Sequence, residues 1–390
     1  MMGYGNGLFG PLDHVTRMQL VTTVARATGS LLSEPPHDWQ GLLDSADLSH
    51  GENIRWAEHG GLLAGIENLA SWDVGKPATR GEVAQVLWNL LVKTAYLPRL
   101  SVSNYGAKGD GVADDTQAIQ RAINARPNGG TVTIPAGTYL LRAQSEKDHA
   151  LDLRSNITLL GAGESTVLHS TARYPIWIRN QSDVTLEGFT LRGDKTPSGQ
   201  AGIVVPSGAS ASRLTLKGLT ISDMEFCGIF FAGNSTVTDV VIEGCTIYRC
   251  GDFGITKVAG GSSRNVLIKD CVLHDFASLR YPGHGIYLHN VTNLTVQDCE
   301  VYNVSKRQWG YSGYEFDNCN GLVVERSVAR DCKDPSDTGG WGGFGFIFVG
   351  ATTATVNDCV ATQGNYYGFY ECGLTGSVVY KNCAGTRHVY

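Results

Sequence analysis

The segments VTLEGFTL (184–191), LTLKGLTI (214–221), VVIEGCTI (240–247) and VLIKDCVL (266–273) repeat one pattern, which LTVQDCEV (294–301), LVVERSVA (322–329) and ATVNDCVA (354–361) continue. Their third residues are Leu186, Leu216, Ile242, Ile268, Val296, Val324 and Val356, separated by 30, 26, 26, 28, 28 and 32 positions. A period of about 20 to 50 residues is typical of a solenoid, in which each unit buries its apolar face against its neighbours. Because apolar and polar residues alternate and helical patterns are few, the repeat predicts a parallel β-helix.

A second repeat lies between the first set of segments, and each copy begins with glycine: GIVVP (202–206), GIFFA (228–232), GITKV (254–258), GIYLH (285–289), GYEFD (313–317), GFIFV (345–349) and GFYEC (368–372). Since successive strand residues face opposite sides, we expect the residue after each glycine to point inward. The residues two and four after it then point outward. Two adjacent coils alone place ionisable groups in both outward columns, which makes Tyr287, His289, Glu315 and Asp317 the predicted catalytic residues.

Three enlarged loops surround these two coils. The interval from the preceding strand to the glycine is 7 residues in three coils, but it is 12 from Leu273 to Gly285, 12 from Val301 to Gly313 and 16 from Ala329 to Gly345. Aromatic faces stack on sugar rings and cations pair with carboxylates. We therefore predict a polysaccharide partner, bound by Arg280, His284, Lys306, Arg307, Trp309, Tyr311 and Trp341.

The chemistry of this patch stays open at the level of sequence. Glu315 and Asp317 are two residues apart on one strand, about 6.8 Å between Cα atoms, which permits a glycosidase. A uronate lyase or epimerase would instead use His289 or Tyr287 as base, with Arg280, Arg307 or Lys306 stabilising the enolate. A glycan-binding protein without catalysis and a structural fibre, in which these polar residues are merely solvated, are the further alternatives.

Two polar residues and a column of cysteines need separate interpretation. Lys257 and Glu371 fall at inward positions, so that either they are paired in the core or the register slips. Cys245, Cys271, Cys299, Cys359 and Cys383 occupy one position in successive coils, with Ser327 in the gap. We predict reduced thiols that pack in the core, and neither a metal nor another cofactor.

Composition limits the classes of partner. The 390 residues carry a net charge of −6 and no basic tract, so we expect no nucleic-acid partner. No apolar run reaches the ~18 residues of a membrane span. The first residues, MMGYGNGLFGPLDH, lack the pattern of a signal peptide, which predicts assembly in the cytoplasm.

The first quarter of the chain has helical periodicity instead. VTRMQLVTTVARAT (15–28) and ATRGEVAQVLWNLLVKTA (78–95) predict amphipathic helices with Thr16 and Thr79 as N-caps, and Glu82 completes a capping box. We expect a small helical domain over 1–95, a linker over 96–102 and the β-helix over 103–390. The apolar residues Ala118, Ile119, Ala122 and Ile123 predict a helix that covers the first coil.

Three stretches resemble known families. NIRWAEHGGLLAG (53–65) followed by ATRGE resembles an S-layer homology module, which implies cell-wall binding; a docking domain is the alternative. SNYGAKGDGVADDTQAIQRAINARPNGGTVTIPAGTYLL (103–141) is similar to the N-terminal signature of the pectate-lyase-type superfamily of phage tailspikes, polysaccharide lyases and alginate epimerases. In GHGIYLHN (283–290), which resembles the epimerase and lyase strand, His289 matches the family's His, whereas Tyr287 stands at its Asp.

The superfamily resemblance implies a right-handed β-helix with three strands per coil. It favours a tailspike-like protein of the virion tail or cell surface that binds and degrades a polysaccharide. Such a protein would form a homotrimer or attach to other tail proteins through residues 1–95. A secreted lyase or epimerase is the other activity that the resemblance implies.

Overall fold

The computed structural model describes residues 14–28, 35–36, 39–43, 50–95, 99–127, 129–144, 146–278, 283–306, 311–332, 343–362 and 367–390. The chain forms two compact units. One comprises Met1–Pro98 with Asn128–Gly130, and the other comprises Arg99–Pro127 with Thr131–Tyr390.

The first unit is helical, as its periodicity predicts. Its helices are α1 (Arg17–Thr28), α2 (Gly51–His59) and α3 (Arg80–Ala95). Both predicted N-caps are confirmed: the Gln19 N–H donates to Thr16 Oγ1 (3.2 Å), and the Glu82 N–H donates to Thr79 Oγ1 (3.2 Å). In return Glu82 accepts the Thr79 N–H (2.8 Å), which completes the capping box. No helix in the described part of the chain is long and apolar enough to cross a membrane.

The second unit is built from three parallel sheets. Sheet A contains β1 (Leu100–Ser101), β3 (Gly130–Ile134), β6 (Ile157–Gly161), β9 (Gln181–Glu187), β12 (Ser210–Lys217), β15 (Thr236–Glu243), β18 (Ser263–Lys269), β21 (Val291–Gln297), β24 (Leu322–Glu325), β27 (Thr353–Asn357) and β30 (Ser377–Lys381). Sheet B contains β2 (Asp110–Asp114), β4 (Gly137–Leu141), β7 (Thr166–Ser170), β10 (Thr190–Arg192), β13 (Thr220–Ser222), β16 (Thr246–Tyr248), β19 (Val272–Ser278), β22 (Glu300–Lys306), β25 (Val328–Arg330) and β28 (Val360–Thr362).

Sheet C completes each coil and carries the glycine-led repeat. Its strands are β5 (His149–Asp152), β8 (Tyr174–Trp177), β11 (Ala201–Val205), β14 (Cys227–Phe231), β17 (Phe253–Lys257), β20 (His284–His289), β23 (Ser312–Asp317), β26 (Phe344–Val349), β29 (Tyr367–Cys372) and β31 (Arg387–Val389). From β3 to β30 the chain visits sheets A, B and C in turn, and each strand pairs with the strand one coil away. The predicted β-helix of three strands per coil is confirmed.

The register of the stacked coils follows the sequence repeats. In sheet A the third residues of the repeat pair in one column from Leu186 to Val356. In sheet C the column that begins at Ile203 and ends at Phe369 pairs in the same way. Its members are at most 2% exposed and belong to one core that runs along the β-helix, which confirms that they point inward.

A short helix packs on the first coils. This helix, α4 (Thr116–Asn124), follows the N-cap residue Asp115, and Asp114 Oδ1 accepts the Thr116 N–H (3.0 Å). The four predicted apolar residues, Ala118, Ile119, Ala122 and Ile123, are all buried in the core of the β-helix.

The two inward polar residues are paired in the core, and the register does not slip. Lys257 is completely buried and lies in register with Phe231 and Leu288. Its Nζ donates to the main-chain carbonyls of Val258 (2.9 Å) and Gly260. Glu371 accepts hydrogen bonds from the Tyr380 hydroxyl (3.1 Å) and from Arg387 Nε (2.9 Å).

The cysteine column packs in the core as predicted. Cys245, Cys271, Cys299 and Cys359 are buried free thiols, and Cys383 is partly exposed. Each Sγ donates to the carbonyl two residues earlier in the chain, as Cys271 does to Lys269 (3.2 Å). The small side chain therefore fills a corner of the coil and satisfies its own weak donor locally.

Candidate functional site

The four predicted catalytic side chains lie on neighbouring strands of sheet C. Strand β20 pairs in parallel with β23, so that Tyr287 lies opposite Glu315 and His289 lies opposite Asp317. Parallel neighbours are about 4.8 Å apart, and these positions are only partly buried. We call Tyr287, His289, Glu315 and Asp317 the outer patch. Its four members can reach a common bound group.

Glu315 has the most altered acidity of the patch. Its side chain is 19% exposed. Burial, together with the neighbouring Asp317 carboxylate, raises the pKa of Glu315 to about 7. Both effects disfavour the charged form of the acid. Glu315 therefore holds a proton at neutral pH in a large fraction of molecules, as a general acid requires.

Tyr287 is held in its protonated form. Burial, and then the charges of Glu315 and Asp317, raise the pKa of Tyr287 to about 12. The phenol is therefore a hydrogen-bond donor at neutral pH. This state does not suit the sequence-based alternative in which Tyr287 acts as the base.

His289 and Asp317 form the second half of the patch. His289 Nε2 is 3.5 Å from Asp317 Oδ2, and Asp317 Oδ1 accepts a hydrogen bond from Asn318 Nδ2 (2.8 Å). His289 Nδ1 is buried and has no hydrogen-bond partner among the residues that the structure describes. A buried nitrogen without a partner costs free energy.

His284 belongs to the same site but does not lie in a loop, as its predicted substrate-binding role assumed. It is the first residue of β20 and its side chain is 7% exposed. Its Nδ1 lies 2.7 Å from Ser312 Oγ and 3.3 Å from Glu315 Oε2. His284 is therefore a direct neighbour of the acid, and Ser312, which the sequence analysis did not select, holds the imidazole in place.

The remaining predicted substrate-binding residues divide into two groups. Arg280, Arg307, Trp309, Trp341 and the side chain of Lys306 lie outside the described residues, so their roles stay predictions. Tyr311 is 1% exposed and packs in the core of the β-helix. Its expected position on a cleft wall is wrong, because the apolar ring is buried at the point where the chain enters β23.

An aromatic surface precedes the patch on the outer face of sheet C, and the sequence analysis missed it. Its buried members are Ala201, Val204, Cys227 and Phe253, and Tyr174, Trp177, Phe226, Phe230 and Tyr287 pack against them. Phe253 stacks on His284 with 5.5 Å between ring centroids and lies 6.0 Å from Tyr287. We call this surface the aromatic face. It is continuous with the outer patch.

The first residues of the sheet C repeats form a column of glycines, namely Gly202, Gly228, Gly254, Gly285, Gly313, Gly345 and Gly368. This glycine column explains why the sequence analysis missed the aromatic face. A Cβ at Gly254 would lie 2.6 Å from the carbonyl oxygen of Gly285 in the next coil, so that position requires glycine. The residue before the glycine and the residue two after it face the same side although they are three positions apart, since the rings of His284 and Tyr287 have centroids 5.5 Å apart. Simple alternation therefore fails there. The residue that precedes each glycine, such as Phe253, His284 or Ser312, was the signal available in the sequence.

The described residues contain no group of three or more His, Cys, Asp or Glu side chains arranged to hold a metal ion.

A family model described as "Right handed beta helix region" matches residues 157–307 and, in a second match, 201–384. Together these matches span more than half of the chain. The chain belongs to the right-handed β-helix family. The expected handedness of the β-helix is thereby confirmed.

The relatives of this β-helix protein have several roles. The pre-neck appendage protein of Bacillus phage phi29 is 26% identical over 287 residues, which is 70% of this chain and 31% of the phage protein. The mannuronan C5-epimerase AlgE1 of Azotobacter vinelandii is 32% identical over 258 residues, which is 61% of this chain and 17% of the epimerase. The chain thus spans less than a third of the length of either relative.

Among solved structures, the tailspike protein gp49 of Acinetobacter baumannii bacteriophage Fri1, a capsular polysaccharide depolymerase, aligns with a TM-score of 0.46 and 12% identity. The alignment covers 74% of this chain and 57% of the tailspike chain.

Proposed function

We propose that the outer face of sheet C binds a polysaccharide and that the outer patch hydrolyses one of its glycosidic bonds. The observation that carries this proposal is the acidity of Glu315, whose pKa is raised to about 7 beside a second carboxylate. A protonated carboxyl group next to Asp317 is the pairing that glycoside hydrolysis uses. Glu315 donates a proton to the leaving oxygen, and Asp317 serves as the base or nucleophile.

The aromatic face supports a sugar polymer as the ligand. Partly exposed rings such as Phe226, Phe230 and Tyr174 offer apolar surfaces on which sugar rings stack. The coils repeat along one axis, so the face is long enough for several sugar units. A relative whose name specifies mannuronan as its substrate supports the same class of ligand.

The spacing of the two carboxylates permits either stereochemical course. Their Cα atoms are two residues apart on an extended strand, about 6.8 Å. Retaining enzymes hold their carboxyl groups about 5 to 5.5 Å apart, and inverting enzymes about 6.5 to 9.5 Å. Both separations are reached from this Cα distance by rotation of the side chains.

A uronate lyase is the second candidate, and the orphaned Nδ1 of His289 favours it. That nitrogen is buried without a hydrogen-bond partner among the described residues, so it can take the proton beside the substrate carboxylate. Tyr287, whose pKa is raised to about 12, would then donate a proton to the leaving oxygen. The cations needed to stabilise the enolate would come from Arg280, Lys306 or Arg307.

We further propose that the protein acts at the surface of a phage tail or of a cell. Its similarity to the pre-neck appendage protein of a Bacillus phage supports this location. The helical unit within residues 1–95 would attach it to other tail proteins or to the cell wall, and the β-helices would associate as a homotrimer.

Turnover of a panel of bacterial surface polysaccharides and plant uronates tests the proposal. New reducing ends without ultraviolet absorbance, lost in Glu315→Gln, would establish hydrolysis. Absorbance of unsaturated products, lost in His289→Ala, would instead establish a lyase. Binding without either product would leave a glycan-binding protein, and the catalytic assignments would be wrong. Absence of both binding and turnover would overturn the proposal as a whole.

A further inference from the structure

A second group of rings lies on the outer face of sheet C, on the side of the outer patch opposite to the aromatic face. We call Phe344, Tyr367, Tyr370 and His388 the C-terminal ring cluster. Phe344 is 8% exposed, Tyr367 and Tyr370 are partly exposed, and His388 is exposed. Ring centroids are 4.6 Å apart for Phe344 and Tyr370, and 4.8 Å apart for Tyr367 and His388. These mutual contacts fix the positions of the rings before any ligand arrives.

Two register columns of sheet C run from the aromatic face through the outer patch to this cluster. The first column includes Phe230, Tyr287, Glu315, Ile347, Tyr370 and His388. The second contains Phe253, His284, Ser312, Phe344 and Tyr367. Because neighbouring parallel strands are about 4.8 Å apart, Tyr370 lies about 10 Å from Glu315 along the axis of the β-helix, and Phe230 lies about 14 Å from it in the opposite direction. The proposed acid therefore lies between two surfaces that carry rings.

The cluster has the chemical character of a sugar-binding surface. Tyrosine and histidine each present an apolar ring with a polar tip, and three of the four cluster residues are of these types. Such side chains suit a ligand that carries apolar ring faces beside hydroxyl groups, as a sugar does. Ile347, which is 6% exposed, fills the single position between Glu315 and Tyr370 in their column. The surface is therefore continuous from the patch to the cluster, which favours the polysaccharide chain that reaches Glu315 as the occupant.

We propose that the C-terminal ring cluster binds the substrate chain on one side of the cleaved bond while the aromatic face binds it on the other, so that the protein cuts within a polysaccharide chain and not at its end. This inference rests on the proposed function, and it adds the mode of attack. Each hydrolytic cut consumes one water molecule, breaks one glycosidic C–O bond and creates one reducing and one non-reducing end. Sugar units held on both sides of Glu315 make an internal bond the preferred one.

The length of the products tests the mode of attack. For a polymer of the panel that the wild type cleaves, size-exclusion chromatography measures chain length while reducing-end or absorbance assays count the cuts. We expect the mean chain length to fall steeply at the earliest stage, when few bonds have been cut. Release of short units from chains that keep their full length would overturn the inference, although cleavage by the patch would stand. A wild type that cleaves nothing in the panel is the distinct result that removes the proposed catalysis, and the inference with it.

Two substitutions, one on each side of Glu315, test the binding surfaces. The probe is an oligosaccharide of defined length from the same polymer, labelled at its reducing end, so that each product reveals which bond was cut. Tyr370→Leu keeps an apolar side chain but removes the ring, and it should move the preferred bond towards one end of the oligosaccharide. Phe230→Leu should move it towards the other end, because it weakens binding on the other side. Each variant should raise the KM for the polymer about tenfold.

Further variants separate loss of binding from loss of folding. Tyr370→Phe keeps the ring and should retain the wild-type pattern of products. His388→Leu changes an exposed position, and it should shift the preferred bond in the same direction as Tyr370→Leu. Tyr248→Leu is the matched control, since this ring lies on sheet B and stacks on His274. A poorly folded variant loses cleavage of every bond equally, and melting temperatures identify it.

Two results would overturn the assignment of the cluster. One is an unchanged pattern of products in both Tyr370→Leu and His388→Leu, and the other is a shift in the same direction as that of Phe230→Leu. If the pattern is unchanged but Tyr370→Leu lowers the mass of the protein in sedimentation, the cluster is instead a contact between copies of this chain.

Discussion

His284 and Glu315 lie on adjacent strands of sheet C with 3.3 Å between Nδ1 and Oε2, and the same imidazole nitrogen is 2.7 Å from Ser312 Oγ. The imidazole packs against two rings, those of Phe253 and Tyr287, and the three ring centroids form a triangle with sides of 5.5, 5.5 and 6.0 Å. Its position is therefore fixed by contact with both rings and by polar contacts at one edge. His284 positions the carboxyl group that we assign as the general acid.

Replacing Glu315 with glutamine should abolish cleavage and preserve binding. The amide keeps the shape of the side chain but cannot transfer a proton, and general acid catalysis contributes about 10²- to 10⁴-fold in rate. Reducing-end assays and titration with oligosaccharide measure the two effects. Glu325→Gln is the matched control, because Glu325 lies at the end of β24 in sheet A and pairs with Arg326. Equal loss in both variants would contradict the assignment.

Replacing His284 with phenylalanine should lower activity with little change in stability. The new ring retains the packing on Phe253 and Tyr287, but Glu315 Oε2 loses the polar neighbour that lies 3.3 Å away. Because an apolar ring in place of that neighbour disfavours the charged form, the substitution should raise the pKa of Glu315 further. The alkaline limb of the pH–rate profile should then move to higher pH. An unchanged profile would assign His284 a purely structural role.

Both activity and stability should fall as the pH rises through about 7. Activity needs the protonated form of Glu315, whose pKa is raised to about 7 from an ordinary value of 4.5. Between these two values the folded protein binds more protons at this site than the unfolded chain does, so the free energy of unfolding decreases with rising pH. The loss is on the order of 1–3 kcal/mol. Thermal unfolding at several pH values measures it, and in Glu315→Gln this contribution should disappear.

Replacing Lys257 with alanine should destabilise the β-helix by about 2–4 kcal/mol, because it leaves a cavity and removes the donor for several partly buried main-chain carbonyls. Burial lowers the pKa of Lys257 to about 8. Lys269→Ala, which removes a surface ion pair with Glu243, should change stability very little. Urea unfolding compares the two variants. A similar small loss in both would mean that the buried ammonium group contributes nothing.

Two substitutions at Cys271 should show whether stability depends on the size of this side chain or on its thiol group. Cys271→Ser should cost less than about 1 kcal/mol. The column already accepts serine at Ser327, whose hydroxyl donates to the Glu325 carbonyl (2.9 Å). Cys271→Phe should cost about 1–3 kcal/mol through overpacking. Thermal unfolding measures both variants, and a larger loss in the serine variant would show that the thiol itself is required.

The sequence predicted the inward columns of sheets A and C because a parallel stack repeats each position in the next coil. Once Leu216 is assigned to an inward position, Leu186 and Ile242 must lie beside it, and the structure pairs them so. The same logic placed Glu315 beside Tyr287. It failed at the glycine column, where close approach of the coils interrupts alternation and turns His284 and Phe253 outward.

The sequence by itself determined the period of the coils, the inward columns and the two strands that carry the ionisable patch, because these depend only on strand alternation and in-register stacking. Tertiary structure decided which outward residues are covered and how their acidity changes. The pKa of Glu315 depends on burial by side chains from other coils and on the charge of Asp317. The aromatic face likewise exists only where Tyr174, Phe230 and Phe253, which lie on three different strands of sheet C, come together. Burial and contact between coils are properties of the packed molecule, and a linear repeat does not encode them locally.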